Sequence, residues 1–94
     1  MPAYSVAIMN VTNPEKYQEY AKLAVPAAAK YGGRMLFRAG NPAVMEGKFG
    51  YSRMAVVEFP DVETAKRYWN SPEYQEALKK REGAADFNLI IFEG

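Results

Sequence analysis

The sequence predicts one α+β domain in which strands and helices follow the order β-α-β-β-α-β. Three observations predict this single domain and the order of its elements. Short runs rich in apolar residues alternate with segments of helical periodicity. Capping residues followed by proline mark helix starts, and glycines end the helical segments. The chain has 94 residues, which is too few for two cores, so residues 1–94 are expected to form a single domain.

The first strand and the first helix are separated by a short polar turn. Ala3–Val11 is apolar on both of its faces, which is typical of a central strand that is covered on both sides. The helix is expected to begin either at Asn13, with Pro14 at its first position, or at Thr12, with Glu15 closing a capping box.

The first helix is predicted from tyrosines and alanines that recur at three- and four-residue steps. Pro26 is expected to kink it, because proline cannot donate a hydrogen bond to the carbonyl of Lys22. Gly32–Gly33 is expected to end it. The predicted apolar stripe consists of Tyr17, Tyr20, Ala21, Ala24, Ala28 and Tyr31.

Two further strands are predicted in the middle of the chain. Arg34–Ala39 should place its arginines and Leu36 on one face, so that this face borders water or a pocket. Gly40–Pro42 turns the chain, and Ala43–Gly47 is expected to return as a hairpin strand. Arg53–Phe59 is apolar on both faces and is therefore expected to be central, like the first strand.

Two short helices and a last strand complete the chain. Asp61 is expected to cap the first of these helices, and Ser71 the second, which ends at Gly83. Phe87–Phe92 is predicted as the last strand. The buried edge of the first helix should comprise Val62, Ala65 and Trp69. One side of the second should carry Tyr74, Ala77, Leu78 and Arg81.

This order of elements is the ferredoxin-like arrangement, an antiparallel sheet with its helices on one face. The other face would leave an apolar area of roughly 350 Å² by strand length and spacing, near or above what a monomer usually exposes as one patch. Pairing two such faces would bury on the order of 700 Å², grossly about 17 kcal/mol, against an association cost of about 4 to 15 kcal/mol. The sequence therefore predicts a two-fold homodimer packed sheet to sheet.

Composition narrows the possible chemistry. The chain contains neither cysteine nor histidine, which excludes disulfides, thiolate nucleophiles and histidine ligation of metals or haem. We therefore predict no metal site and no cofactor. Twelve basic residues nearly balance eleven acidic ones, so nucleic-acid binding is not expected. No apolar run approaches the roughly 18 residues of a membrane span, and the first residues lack a signal peptide's basic region, so we expect a cytoplasmic protein without membrane association.

Several segments together resemble the domain of unknown function 1330 family, within the dimeric α/β-barrel superfamily. One departure is Tyr68-Trp69, where the family often has an aromatic residue followed by tyrosine. The resemblance implies a ferredoxin-like subunit in a two-fold barrel dimer, but the superfamily includes cofactor-free monooxygenases, isomerases, haem enzymes and binding proteins, so it implies no single function. The matching segments are Tyr17 and Tyr20, Tyr31–Arg34, Arg38 and Gly40, Met45–Gly47, Val57–Pro60, Ser71–Tyr74, Arg81–Asp86 and Glu93–Gly94.

Glu58 is the first candidate for chemistry. It lies within a predicted central strand, so its carboxylate is expected to be partly buried, with a raised pKa that would suit a general base. The alternative is a structural ion pair with Arg34, Arg38 or Arg53. These three arginines are themselves candidates to bind a carboxylate or an enolate. The alternative for these arginines is that they lie at the edge of a strand, in contact with water.

Trp69, Tyr74 and Arg81 are expected to converge across the break between the two short helices. The cofactor-free monooxygenases of the superfamily hold and deprotonate a phenolic substrate with Trp, Tyr, Arg and Asn. The resemblance therefore implies that these three residues, completed by Asn10, bind such a ligand. The alternative is that Trp69 and Tyr74 are core residues whose polar tips are hydrogen-bonded.

The leading functional hypothesis is a small homodimer with a pocket between sheet and helices for a small organic ligand. The first alternative is a cofactor-independent monooxygenase or isomerase for a small aromatic or anionic substrate. In that enzyme Glu58, Tyr74 or Arg38 would handle the proton, and Trp69 would stack on the substrate. The second alternative is a non-catalytic binding or assembly module. An enzyme of the proposed kind should place Glu58, Arg38 and Tyr74 around one cavity.

Overall fold

The computed structural model describes all residues from 1 to 94 and contains four strands and three helices. The predicted α+β order is confirmed, with the second helical region divided into two helices. None of the helices combines the length and the hydropathy that a bilayer crossing needs. The elements are β1 (Ala3–Val11), α1 (Pro14–Lys30), β2 (Arg34–Gly40), β3 (Arg53–Phe59), α2 (Val62–Asn70), α3 (Pro72–Arg81) and β4 (Ala85–Glu93).

The strands form one antiparallel sheet in the order β2-β3-β1-β4. The two strands that are apolar on both faces, β1 and β3, occupy the centre, as their sequences predict. On one face, which we call the helix face, Phe59 packs in a core cluster with Tyr20 of α1, Tyr68 of α2 and Tyr74 of α3. The helices therefore cover this face, as expected for a ferredoxin-like fold.

Side-chain hydrogen bonds at the helix starts explain why the helices begin where they do. Asn13, Asp61 and Ser71 each accept a hydrogen bond from the backbone amide three residues later, at 3.2, 2.7 and 3.1 Å. These bonds satisfy amides that have no partner within the helix. Of the two predicted starts of α1, the structure has the one at Asn13, and the helix continues through Pro26 to Lys30.

The second face of the sheet, which we call the open face, is not covered by the chain. Ile90 and Phe92 of β4 are 44% and 53% exposed there, and Phe37 of β2 is 49% exposed. Their strand partners show that the apolar surface continues across the sheet, since Val6 is opposite both Ile90 and Val56. The predicted uncovered apolar face is therefore present.

A β-bulge in β2 reverses the alternation of its side chains. The register shifts between Met35 and Phe37, so Leu36 is an extra residue without a partner on β3. As a result Arg34 lies on the open face and Arg38 on the helix face. The expectation that Arg34, Leu36 and Arg38 share one face is wrong, because a regular alternation does not survive a bulge.

The predicted hairpin strand Ala43–Gly47 is also wrong, because residues 41–52 form an irregular loop. Asn41 has a φ of 51°, and Gly47 and Gly50 each have a φ of 80°. These left-handed backbone conformations interrupt an extended chain repeatedly. The loop is fixed at one end by Asn10, whose amide contacts its backbone.

The buried edge of α2 differs from the prediction at one position. Ala65 and Tyr68 are buried, whereas Trp69 is 39% exposed. Residues three and four positions after Ala65 both fit a helical stripe, so periodicity cannot choose between them. Packing places Tyr68 in the core instead of Trp69, because the Tyr68 ring lies 5.1 Å from that of Phe59 and 4.9 Å from that of Tyr74, centroid to centroid.

Candidate functional site

A cavity of about 550 Å³ lies between α1 and the helix face of the sheet. Small residues on both sides create it: Ala21, Ala24 and Ala28 of α1 line it together with Ala7 of β1 and Ala55 of β3. An alanine side chain ends at Cβ, so the helix and the sheet approach each other without filling the space between them. Most lining residues are apolar, as in binding sites for small organic molecules.

Two arginines line the end of the cavity next to β2. Arg38 is opposite Ala55, and Arg53 is opposite Gly40. This offset makes the two arginines diagonal neighbours on one sheet face, with their Cα atoms roughly 7–8 Å apart. Neither belongs to any of the four ion pairs of the structure. Both guanidinium groups are therefore free to bind an anion at this end.

Tyr17 of α1 lines the cavity together with these arginines. Its hydroxyl donates a hydrogen bond to Sδ of Met9 at 3.0 Å, and a thioether sulfur is a weak acceptor. Burial raises the pKa of Tyr17, while the positive charges of Arg81, Arg53 and Arg38 act in the opposite direction. Tyr17 thus remains a hydrogen-bond donor at neutral pH, with a partner that a ligand oxygen can replace.

A second polar group lies deeper, between α1, α3 and β4. The hydroxyls of Tyr20 and Tyr74 are 3.0 Å apart, and Nη1 of Arg81 donates to the Tyr74 hydroxyl at 3.0 Å. The guanidinium of Arg81 also lies over the ring of Phe87, at 3.7 Å from its centroid. Burial raises the pKa of Tyr20 and of Tyr68, so both keep their protons. Tyr20, Tyr68 and Phe87 line the cavity.

Glu58 is separated from the cavity by the sheet. It lies opposite Arg34 on the open face, and Nη2 of Arg34 donates to its carboxylate at 2.8 Å. This geometry matches the ion-pair alternative for Glu58. Neither residue lines the cavity.

The set of Trp69, Tyr74, Arg81 and Asn10 is only partly brought together. Tyr74 and Arg81 are hydrogen-bonded, and Tyr74 is completely buried, which matches its core alternative. Trp69 lies 6.4 Å from the Tyr74 ring, centroid to centroid, but is 39% exposed. The amide of Asn10 is already bonded to the backbone of Gly50 and Ser52. None of the four lines the cavity.

Of the predicted site residues, only Arg38 and Arg53 line the cavity. The helical periodicity places Tyr17 and Tyr20 in an apolar stripe and does not identify their hydroxyls as site groups. The available signal was the alanine-rich stripe of α1, which faces strands that themselves carry alanines, and such small-to-small packing leaves space beside large tyrosines. No three acidic side chains come together in a way that could hold a metal ion.

Solved structures of other proteins share this fold. The RPA0582 protein of unknown function from Rhodopseudomonas palustris is 20% identical, with a TM-score of 0.83 over 99% of this chain and 82% of that one. SnoaB, a cofactor-independent oxygenase from Streptomyces nogalater, is 12% identical, with a TM-score of 0.71 over 99% and 92%. A dimeric ferredoxin-like protein of unknown function from Jannaschia sp. CCS1 is 12% identical, with a TM-score of 0.73 over 100% of both chains. At these identities the likeness shows the fold alone.

Comparison at the level of sequence gives a family. No curated protein matches significantly. The family model described as "Domain of unknown function (DUF1330)" matches residues 2–94, which is nearly the whole chain. The resemblance seen in the sequence is thereby confirmed, and the protein belongs to this family.

Proposed function

We propose that the protein is a homodimer in which each subunit binds a small, largely apolar organic anion between α1 and the sheet. The observation that carries this proposal is the pair Arg38 and Arg53, both without a carboxylate partner, at one end of an apolar cavity. A guanidinium binds carboxylate and phenolate oxygens through strong, charge-assisted hydrogen bonds. Apolar walls bind the remainder of such a ligand by excluding water from it.

The cavity volume limits the size of the ligand. At about 550 Å³ it falls in the range of roughly 300–1,000 Å³ that small-molecule sites occupy. An aromatic acid with one or two rings fits this volume. Tyr17 adds a hydrogen-bond donor near the arginines, so the acidic group of the ligand can be bound by three donors.

The side chains around the cavity favour binding over proton abstraction. No Asp or Glu lines the cavity, and the raised pKa values of Tyr17, Tyr20 and Tyr68 make their phenolates unavailable as bases at neutral pH. Glu58, the candidate general base, lies on the open face. A binding protein is therefore the preferred function.

Cofactor-independent oxygenation is the second candidate. It is favoured by the fold likeness to SnoaB, which is described as a cofactor-independent oxygenase, and by the free arginines, which would stabilise a substrate bound as its phenolate. Oxygen uptake with dihydroxyaromatic acids tests it, and uptake that depends on Arg38 and Arg53 would replace the binding function with the enzymatic one.

The open face is the proposed dimer interface. It presents exposed Phe37, Ile90 and Phe92 as part of an apolar surface that extends over all four strands. Two proteins of the same fold are described as dimeric. Because the cavity lies on the helix face, a dimer formed through the open face leaves it accessible to ligand.

The test of the binding function is calorimetric titration with naphthoate, an aromatic carboxylate. Naphthoate should bind the wild-type protein, and the double variant Arg38→Gln/Arg53→Gln should bind it at least about tenfold more weakly, because charge-assisted hydrogen bonds contribute about 1.5–3 kcal/mol. The neutral analogue naphthalene methanol should not distinguish the two proteins. Arg34→Gln is the matched control, since it removes an arginine from the other face of the same strand.

Glu58→Gln is the second control and should also leave naphthoate binding unchanged. The proposal fails if naphthoate does not bind the wild-type protein, or if the double variant binds it as tightly as the Arg34→Gln control. Binding that is lost in Glu58→Gln but kept in the double variant would contradict the proposed location of the site.

A further inference from the structure

Tyr20 is a deeply buried polar side chain of the cavity. It is 6% exposed, lines the cavity from α1, and packs edge-on against the rings of Phe87 and Tyr74. The structure gives its hydroxyl a single hydrogen-bond partner, the hydroxyl of Tyr74 at 3.0 Å. The direction of this hydrogen bond determines what the Tyr20 hydroxyl can offer a ligand.

The neighbouring Arg81 decides this direction. A guanidinium carries only donors, so the oxygen of Tyr74 accepts the hydrogen bond from Arg81. Tyr74 is completely buried, and the Tyr20 oxygen is the one acceptor within reach of its own hydroxyl hydrogen. A buried hydroxyl without an acceptor is costly, so Tyr74 donates to Tyr20.

The hydroxyl hydrogen of Tyr20 is therefore left without an acceptor in the protein. The same chain of hydrogen bonds strengthens this donor, because each hydroxyl that receives a hydrogen bond is polarised and donates more strongly to its own partner. Arg81 has no carboxylate partner that would offset its charge. Tyr20 itself lines the cavity, so a ligand bound there can supply the missing acceptor.

We propose that the chain Arg81, Tyr74 and Tyr20 presents one directed hydrogen-bond donor to the cavity, so that the ligand has an oxygen acceptor in addition to its acidic group. This inference rests on the proposed function and specifies its ligand class. The acid binds at Arg38 and Arg53, and the acceptor, a ketone or a ring oxygen, binds at Tyr20. The ligand is thus a keto-substituted or oxygen-substituted aromatic acid. Tyr74 and Arg81 are positioning residues, since they act through Tyr20.

Two probes of nearly the same shape isolate this second contact. Both para-acetylbenzoate and para-isopropylbenzoate carry a carboxylate, but only the acetyl compound has an oxygen acceptor at the other end. Wild-type protein should prefer para-acetylbenzoate. In Tyr20→Phe this preference should fall by about three- to tenfold, the effect of one neutral hydrogen bond, while para-isopropylbenzoate binding stays unchanged. Tyr51→Phe, a tyrosine outside the cavity, is the matched control.

Tyr74→Phe tests the positioning role. It leaves the Tyr20 hydroxyl in place but removes the group that orients it, so the preference for para-acetylbenzoate should fall by less than in Tyr20→Phe. An equal loss of affinity for both probes in Tyr74→Phe would mean that the residue only supports the fold, and would overturn the relay.

The carbonyl stretch of bound para-acetylbenzoate gives a readout that needs no variant. A ketone that accepts a hydrogen bond from Tyr20 should absorb at lower frequency than the same ketone in an apolar solvent, and an unshifted band would overturn the inference even if Tyr20→Phe failed to fold. Failure of both probes to bind would instead overturn the proposed function. Binding of both with the preference unchanged in Tyr20→Phe would overturn the second contact alone and leave the binding function standing.

Discussion

Arg34 and Arg38 lie four residues apart on one strand, yet they point to opposite faces of the sheet. Arg34 is opposite Glu58 on the open face, and Arg38 is opposite Ala55 beside the cavity. The extra residue at Leu36 causes this reversal. One arginine is thereby used in a surface ion pair, and the other is available to a ligand.

Deletion of Leu36 should leave Arg38 in the cavity. Met35, Phe37 and Arg38 already pair with consecutive residues of β3, so this pairing is kept when the extra residue is removed. The start of β2 is held in place, because the Gly33 amide bonds to Ala28 and a Cβ at Gly33 would lie 2.8 Å from the Phe59 ring. Naphthoate affinity measured by calorimetry should therefore be unchanged.

Leu36→Ala is the control for the deletion, because it retains the extra residue and should bind naphthoate normally. Circular dichroism and thermal unfolding establish that the deletion variant remains folded, which is expected of a change in an exposed edge strand. A folded deletion variant that binds naphthoate more weakly than Leu36→Ala would contradict the register assigned to β2.

Ala55→Leu should fill the cavity and weaken naphthoate binding without a large loss of stability. The added atoms enter space that is already empty, so the free energy of unfolding should change by less than about 1 kcal/mol, whereas overpacking a filled core costs about 1–3 kcal/mol. Ala77→Leu supplies that comparison, since Ala77 is completely buried in the packed core. Urea unfolding measures both variants. An Ala55→Leu protein as destabilised as Ala77→Leu would show that the space is not available to a ligand.

The protein should lose stability at alkaline pH. Burial raises the pKa of Tyr17, Tyr20 and Tyr68 above 10.0, so above about pH 10 the unfolded chain releases protons that the folded state retains. The free energy of unfolding should therefore fall as pH rises, by about 1.4 kcal/mol per pH unit for each tyrosine still protonated in the folded state. Urea unfolding at a series of pH values measures this slope. Tyr20→Phe should reduce it, and an equal slope in both proteins would contradict the prediction.

Ile90→Lys should dissociate the proposed dimer. Ile90 is 44% exposed on the open face, and an interface there would have to bury the new charge without a partner. Leu23→Lys is matched in charge and in exposure, since Leu23 is 40% exposed on α1, and it should leave the dimer intact. Analytical ultracentrifugation at micromolar concentration distinguishes these outcomes. A monomeric wild-type protein, or a dimeric Ile90→Lys variant, would contradict the interface.

Local signals in the sequence predict most of the fold. The caps Asn13, Asp61 and Ser71 are short-range features, and the two strands with apolar faces on both sides identify the sheet centre without knowledge of their partners. The sequence could not predict that Tyr68 is buried and Trp69 exposed, because both positions fit the helical period and only tertiary packing distinguishes them.

The site was less predictable because it depends on long-range register. Glu58 could be assigned to a strand and its ion-pair partner narrowed to three arginines, but the bulge decides that the partner is Arg34. The same bulge directs Arg38 to the cavity. The hydroxyl of Tyr20 gains its role from Tyr74, 54 residues later in the chain, and no local pattern contains that contact.

A crystal structure with a brominated naphthoate would locate the ligand site itself, because the anomalous signal of bromine does not depend on the positions of the protein atoms. We expect one bromine site per subunit between α1 and the sheet, with the carboxylate in contact with Arg38 and Arg53. Bromine only at the open face, or no ordered bromine in crystals grown at saturating ligand, would contradict it.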